Sequence, residues 1–241
     1  MQYMGSKNRH AKEILPIVLK DRKPNQWYVE PFVGGCNMID KVDGPRIGAD
    51  LHPQLIAMWK AVQQGWEPPT FVSEGDYAKA KAEMKVDAYT GFVGFACAFG
   101  ASWFSTYARG WNAKGVQTNY AGATARSIAK QRNKINGVLF CHASYDKMPL
   151  PESPSIIYCD PPYANTSKYK TGDFDHDAFW QWCRDKCAKG HKVFVSEYNA
   201  PDDWICVWEK ETLSNFASKR KTDDNSRNRV EKLFVHESQM T

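Results

Sequence analysis

Gln26-Trp27-Tyr28-Val29-Glu30-Pro31-Phe32-Val33-Gly34-Gly35-Cys36 reads as a strand that runs out through Glu30 and Pro31 into a glycine turn, with a short helix predicted beyond it. Adjacent glycines let a backbone pass close to a ligand. Pro45-Arg46-Ile47-Gly48-Ala49-Asp50 follows as a second short strand that ends in an acid. Strand, glycine turn, helix, strand, acid is the opening of a doubly wound α/β sheet, whose ligands lie beyond the carboxyl ends of the strands. The turn lacks the G-x-G-x-x-G spacing of a dinucleotide fingerprint, so it suits a smaller nucleoside better than a pyrophosphate. From the end of its strand, the Asp50 carboxylate is placed to accept ribose hydroxyls or to cap a helix from Leu51 onward, and both readings stay open.

Toward the C-terminus the same sheet takes in Ser155-Ile156-Ile157-Tyr158-Cys159-Asp160-Pro161-Pro162-Tyr163, a buried strand that stops at a carboxylate, two prolines and an aromatic ring. Two prolines fix two φ angles and remove two donors, so the loop is stiff and its carbonyls are uncommitted. The Asp160 carboxylate and a proline carbonyl could accept both N–H bonds of an exocyclic amine while the Tyr163 ring stacks on the heterocycle. Such acceptors would turn a delocalised amine lone pair toward an incoming methyl group. An ordinary strand-to-loop turn is the competing reading. Further on, Asp177 to Ala188 predicts a helix, Lys192-Val193-Phe194-Val195-Ser196-Glu197-Tyr198 a buried strand, Ile205 to Trp208 another, and Val230 to Val235 a last one. Lys219, Arg220, Lys221, Arg227 and Arg229 surround a polar turn at Asp223-Asp224-Asn225-Ser226, a basic hairpin suited to phosphates.

Toward the N-terminus, Tyr3-Met4-Gly5-Ser6-Lys7 precedes an amphipathic helix over about residues 8 to 20, in which Pro16 is a candidate for a kink. Gly5 and Ser6 permit a tight turn that offers Lys7 to an anion, or Ser6 caps the helix and Lys7 is solvated. Between the two strands and the Asp160 strand, residues 57 to 138 change character. Tyr77 to Met84 predicts a helix, and Phe92 to Trp111 alternates glycines and aromatics without clean periodicity. Within that run, Phe99 to Trp111 sets Arg109 among rings and small residues, and residues 123 to 136 predict a helix bearing Arg126, Lys130, Arg132 and Lys134. A basic face beside an aromatic loop is the composition expected where a duplex backbone is gripped, or else a solvated charged face.

A net charge of +5 is compatible with a polyanionic partner, and 13% aromatic residues would serve base stacking as well as a core. Seven scattered cysteines without a C-x-x-C pair indicate neither a disulfide framework nor a zinc ribbon, and a reducing compartment fits best. Cys183, Cys187 and His191 share a helical spacing, but three ligands on one helix rarely close a tetrahedral site. No stretch approaches membrane-spanning length, so a soluble intracellular chain is expected.

Taken in order, Tyr3-Met4-Gly5-Ser6-Lys7, Glu30-Pro31-Phe32-Val33-Gly34-Gly35, Asp50 and Asp160-Pro161-Pro162-Tyr163 resemble the Dam-type family of DNA adenine-N6 methyltransferases, its phage and prophage members especially. The resemblance covers essentially the whole chain. It implies a Rossmann-like S-adenosylmethionine-dependent methyltransferase sheet in residues 1–56 and 139–241, with an inserted, mainly helical target-recognition domain in residues 57–138. Tyr3, Lys7, Phe32, Gly34, Asp50 and Asp160 match cofactor-binding positions, and Asp160, Pro161, Pro162 and Tyr163 the catalytic loop. Arg109, Arg126, Lys130, Arg132 and Arg227 are the expected DNA-binding residues. The implied reaction moves a methyl group from S-adenosylmethionine to a flipped-out adenine, leaving S-adenosylhomocysteine, without a metal. Implied partners are double-stranded DNA and a cognate restriction endonuclease acting on the same site. The implied state is a monomer or weak dimer in the cytoplasm of a bacterial host or phage-infected cell. Leu51-His52-Pro53 departs from the pattern, where Asn more usually follows the acid. An RNA base amine or a protein glutamine amide is the alternative substrate for the same clamp. A non-enzymatic DNA-binding protein would have no use for Asp-Pro-Pro-Tyr, and cytosine-C5 chemistry lacks its Pro-Cys nucleophile pair.

Overall fold

The computed structural model describes residues 1–111, 113–163, 174–213 and 228–240. Among them, β1 Tyr28–Glu30, β2 Arg46–Asp50, β3 Val138–His142, β4 Ile156–Cys159, β5 Lys192–Glu197, β6 Trp204–Leu213 and β7 Asn228–His236 make a mostly parallel 7-stranded sheet ordered β3-β2-β1-β4-β5-β7-β6. With its helices, the first of which is α1 Ala11–Val18, this is the mixed α/β architecture expected, and it is compatible with a Rossmann-like methyltransferase sheet. The order reverses direction between β1 and β4, which is the switch point of a doubly wound fold. By residue contacts the chain divides into two compact units, Met1–Lys12 with Phe32–Met148 and Glu13–Pro31 with Pro149–Thr241.

In the first unit β2 and β3 pair in parallel from Arg46 against Val138 to Asp50 against His142. α2 Pro53–Gln63, α3 Glu74–Glu83, α4 Ala88–Ala96 and α5 Tyr120–Arg132 belong to the same unit, so the helices of residues 57–138 share it with these strands. Arg46, though buried, loses no hydrogen bonding, because its guanidinium donates to the carbonyls of Ile39, Lys134 and Asn136 at 3.1, 2.7 and 2.6 Å. That ties the end of the α5 segment to the start of β2.

Two of these elements differ from the sequence expectation. The glycine- and aromatic-rich run begins inside α4, which is buried on nearly every side and so carries no amphipathic period. Its glycines are contact points: a Cβ on Gly91 would meet the Gln54 carbonyl oxygen of α2 at 2.2 Å, and one on Gly94 the Trp103 ring at 2.2 Å. β3 was not expected at all, since Leu139, its second residue, is 53% exposed and only pairing with β2 makes the segment a strand.

In the second unit β1, β4 and β5 are parallel neighbours, and β7 runs antiparallel to β5 and β6. Ile156, Ile157, Tyr158, Val193 and Val195 are all buried, as suits strands covered on both faces. Buried hydroxyls are satisfied locally: Tyr28 Oη donates to Glu30 Oε1 at 2.8 Å, and Tyr158 Oη bonds Ser196 Oγ at 2.8 Å. α6 His176–Ala188 is capped by Asp175, which accepts from the Ala178 amide at 2.9 Å, and it buries Phe179, Trp180 and Trp182. β6 is longer than the predicted Ile205 to Trp208 because its ladder with β7 continues past an irregularity between Cys206 and Trp208. The Lys219 to Arg227 part of the basic hairpin lies outside the described residues.

Candidate functional site

In the first unit the glycine turn and the end of β2 close on each other. The Val33 amide donates to the Ala49 carbonyl at 2.8 Å, which brings the Gly34 amide to Asp50 Oδ2 at 3.0 Å. The His52 amide donates to the other oxygen, Oδ1, at 2.9 Å. Two backbone donors therefore orient the carboxylate. Burial nevertheless dominates and pushes the Asp50 carboxyl up to about 6, against the opposing pull of those bonds from His52 and Gly34.

Gly34 has φ +45°, a region that favours glycine, and a Cβ there would stand 2.8 Å from the Tyr3 ring. Its carbonyl accepts from the buried Trp59 indole at 2.9 Å. From α5, Gln131 donates to the Gly35 and Cys36 carbonyls at 3.2 Å each. The turn is thus held from three directions. Tyr3 packs in turn on Phe95, with ring centroids 5.1 Å apart. Phe32, at the rim of the turn, meets Tyr145 at 5.8 Å. Lys7 is not the solvated lysine of one sequence reading: it is 5% exposed and donates to the Gly5 carbonyl at 3.1 Å.

His52 occupies the N-cap of α2 without capping it through its side chain. Its ring packs edge-on against Trp103 at 4.0 Å and near Phe95 at 5.1 Å. Burial pushes the imidazole down to about 4, so it is neutral at physiological pH and adds no cation beside Asp50.

These residues fit an adenosyl cofactor. An oriented carboxylate, a turn with no room for a Cβ and the Phe32 and Tyr145 rings suit a ribose diol and a flat base. The structure brings Tyr3, Phe32, Gly34 and Asp50 into one linked group with Lys7 in the same unit. Tyr145 and Gln131 were missed: Tyr145 follows the unexpected β3, and Gln131 looks like any polar helix residue in sequence.

In the second unit Asp160 stands immediately beyond β4 at the switch-point edge, followed by Pro161, Pro162 and Tyr163. Tyr163 Oη donates to Glu231 Oε2 at 2.9 Å, and its ring meets Tyr198 edge-on at 4.6 Å and 83°. Burial, then the charges of Asp160 and Glu231, holds the Tyr163 phenol well above its usual range. Neither Tyr198 nor Glu231 was singled out in sequence, although a Tyr directly after a buried parallel strand is a signal that could have been read.

The expected DNA contacts separate into two kinds. Arg126 and Lys130 are exposed on α5 one turn apart, with Lys134 a turn further on. Arg132 instead donates to Glu67 Oε1 at 3.1 Å, and Arg109 is ion-paired with Glu74. Arg227 lies outside the described residues. Among the described residues no three His, Cys, Asp or Glu side chains are grouped as a metal site, and no helix is long and apolar enough to cross a membrane.

Comparison with known proteins bears on this arrangement. The retron Ec67 DNA adenine methylase of Escherichia coli is 28% identical over 193 residues, spanning 70% of this chain and 67% of that protein. The pattern of the D12 class of N6 adenine-specific DNA methyltransferases matches residues 3–91, a span that holds the Tyr3 to Lys7 segment, the glycine turn and Asp50. The resemblance read from the motifs to DNA adenine-N6 methyltransferases is therefore supported, and over residues 3–91 the chain is similar to the D12 class of N6 adenine-specific DNA methyltransferases.

Proposed function

We propose that the protein methylates adenine N6 in duplex DNA at a specific sequence, the activity that the family and the relative support. The observation that carries this for the present chain is Asp160 at the carboxyl end of β4, beside the sheet's switch point and followed by Pro161-Pro162-Tyr163. Asp50 would accept the ribose hydroxyls of S-adenosylmethionine, with Tyr3, Lys7, Phe32 and Gly34 lining or shaping its site. When bound, that cofactor supplies an electrophilic methyl group. The residues of the loop hold the acceptor. Asp160 and a proline carbonyl accept the two N–H bonds of the amine, and Tyr163 stacks on the base once it has left the duplex. Asp160 acts more as hydrogen-bond acceptor than as strong base, because the amine becomes acidic only as the methyl arrives.

Residues 57–138 are our proposed target-recognition element. Arg126 and Lys130 would grip phosphates, and Arg109 would exchange its exposed partner Glu74 for a base edge, since an exposed pair contributes little. In this reading the enzyme is a cytoplasmic monomer or weak dimer, with a cognate restriction endonuclease acting on the same site as a candidate partner.

The test is transfer of radiolabelled methyl groups to duplex DNA with sequencing of the methylated adenines. Asp160→Ala should lower turnover by at least about a hundredfold while cofactor binding stays measurable. Labelling confined to RNA or to a protein glutamine would overturn the DNA reading, and near-parental turnover of Asp160→Ala would overturn the role of the loop.

A further inference from the structure

Tyr163, Tyr198 and Glu231 form a linked group that the motif itself does not explain. Glu231 stands on β7 opposite Lys210 of β6, and Tyr198 directly follows β5. Tyr163 belongs to the loop beyond β4. Its hydroxyl donates to the Glu231 carboxylate at 2.9 Å and its ring receives Tyr198 edge-on at 4.6 Å. A tyrosine has two side-chain torsions, and its hydroxyl oxygen lies on the axis of the second. The hydrogen bond to Glu231 therefore anchors the far end of the ring and with it the first torsion, while the edge-on Tyr198 contact restricts the second and so the ring plane. Because the phenol is held above its usual range by burial and by the charges of Asp160 and Glu231, it keeps its proton and the donor direction is fixed.

We propose that Glu231 is a positioning residue that anchors the hydroxyl end of Tyr163, with Tyr198 setting the ring plane, so that the ring is held for stacking on the target base. The proposal rests on reading Asp160-Pro161-Pro162-Tyr163 as the loop that holds that base. Glu231 touches no reacting atom in this scheme and acts only through the tyrosine hydroxyl. A carboxylate is well suited to the task because its bond to a phenol is short and directional.

The test uses the full chain with Tyr163→Phe, Glu231→Gln, Glu231→Ala and the Tyr163→Phe/Glu231→Ala double variant. Each is assayed for methyl transfer, for S-adenosylmethionine binding and for fluorescence of a duplex carrying 2-aminopurine at the methylated position. Tyr163→Phe and Glu231→Ala should each lower kcat about tenfold, the scale of one charge-assisted hydrogen bond. The double variant should be no worse than either, since both remove one interaction. Glu231→Gln, whose amide oxygen can still accept, should stay within about threefold of the parent. Cofactor affinity should not move, and the two single variants should change the 2-aminopurine emission in the same sense. Losses that multiply in the double variant, a Glu231→Gln as poor as Glu231→Ala, or an unchanged Tyr163→Phe would overturn the proposal. If Glu231→Ala does not fold, Tyr163→Phe and Glu231→Gln carry the same decision. An inactive parent on duplex DNA would instead sink the reading of the loop, and the positioning role with it.

Discussion

Asp50→Asn should separate the cost of the Asp50 charge to the fold from its use in binding. Holding the carboxyl at about 6 rather than 3.8 disfavours its ionised form in the folded protein by about 3 kcal/mol at neutral pH. Since the folded-state value is raised, this group's contribution to stability is fully present below 3.8 and is lost as pH rises through about 6. Asparagine removes that charge but brings one acceptor oxygen to two amides, those of Gly34 and His52, so one is left unpaired at about 1–3 kcal/mol. The two effects nearly offset, and the free variant should lie within about 2 kcal/mol of the parent at pH 7.5 in denaturant unfolding. Cofactor binding has no such compensation. Loss of an acceptor for a ribose hydroxyl should weaken it by about 1–3 kcal/mol in calorimetry. For the parent, affinity should be level above neutrality and fall as pH drops through about 6, by at most about tenfold per pH unit, and the variant should lack that limb. A variant destabilised by much more than about 2 kcal/mol that binds cofactor as the parent does would show that Asp50 is only a clip for the turn.

Gly34→Ala combines a left-handed backbone with a Cβ 2.8 Å from the Tyr3 ring, and should cost about 2–4 kcal/mol of stability by thermal or denaturant unfolding; a loss below about 1 would mean the turn is free to relax. Replacing Arg126 and Lys130 together by Ala should weaken cognate and random duplexes alike and make the salt dependence shallower by about two in log–log slope, and an unchanged slope would remove α5 from the interface. Arg109→Ala should cost about 1–3 kcal/mol on the cognate site only, whereas equal loss on random DNA in the same titration would make Arg109 a phosphate contact.

Sequence by itself determined the part of this protein written in short segments. The runs at Tyr28 to Glu30, Arg46 to Asp50, Ile156 to Cys159 and Val193 to Glu197 are buried almost throughout and carry apolar residues at successive positions because parallel strands are covered on both faces, and each ends where a loop needs different chemistry. The glycine turn, Asp50 and Asp160-Pro161-Pro162-Tyr163 were legible because glycine, proline and a carboxylate at a strand end each have a local physical meaning. Tertiary structure alone decided the rest. β3 exists through its pairing with β2, and α4 is a helix buried on nearly every side, so neither leaves a period in the sequence. Whether Lys7 was solvated or buried, and whether Arg132 and Arg109 were unpaired or bound to Glu67 and Glu74, depended on residues distant in the chain. The bond from Tyr163 to Glu231 joins positions 68 residues apart, and hydrogen bonds of that reach are set by strand register, which no local propensity encodes.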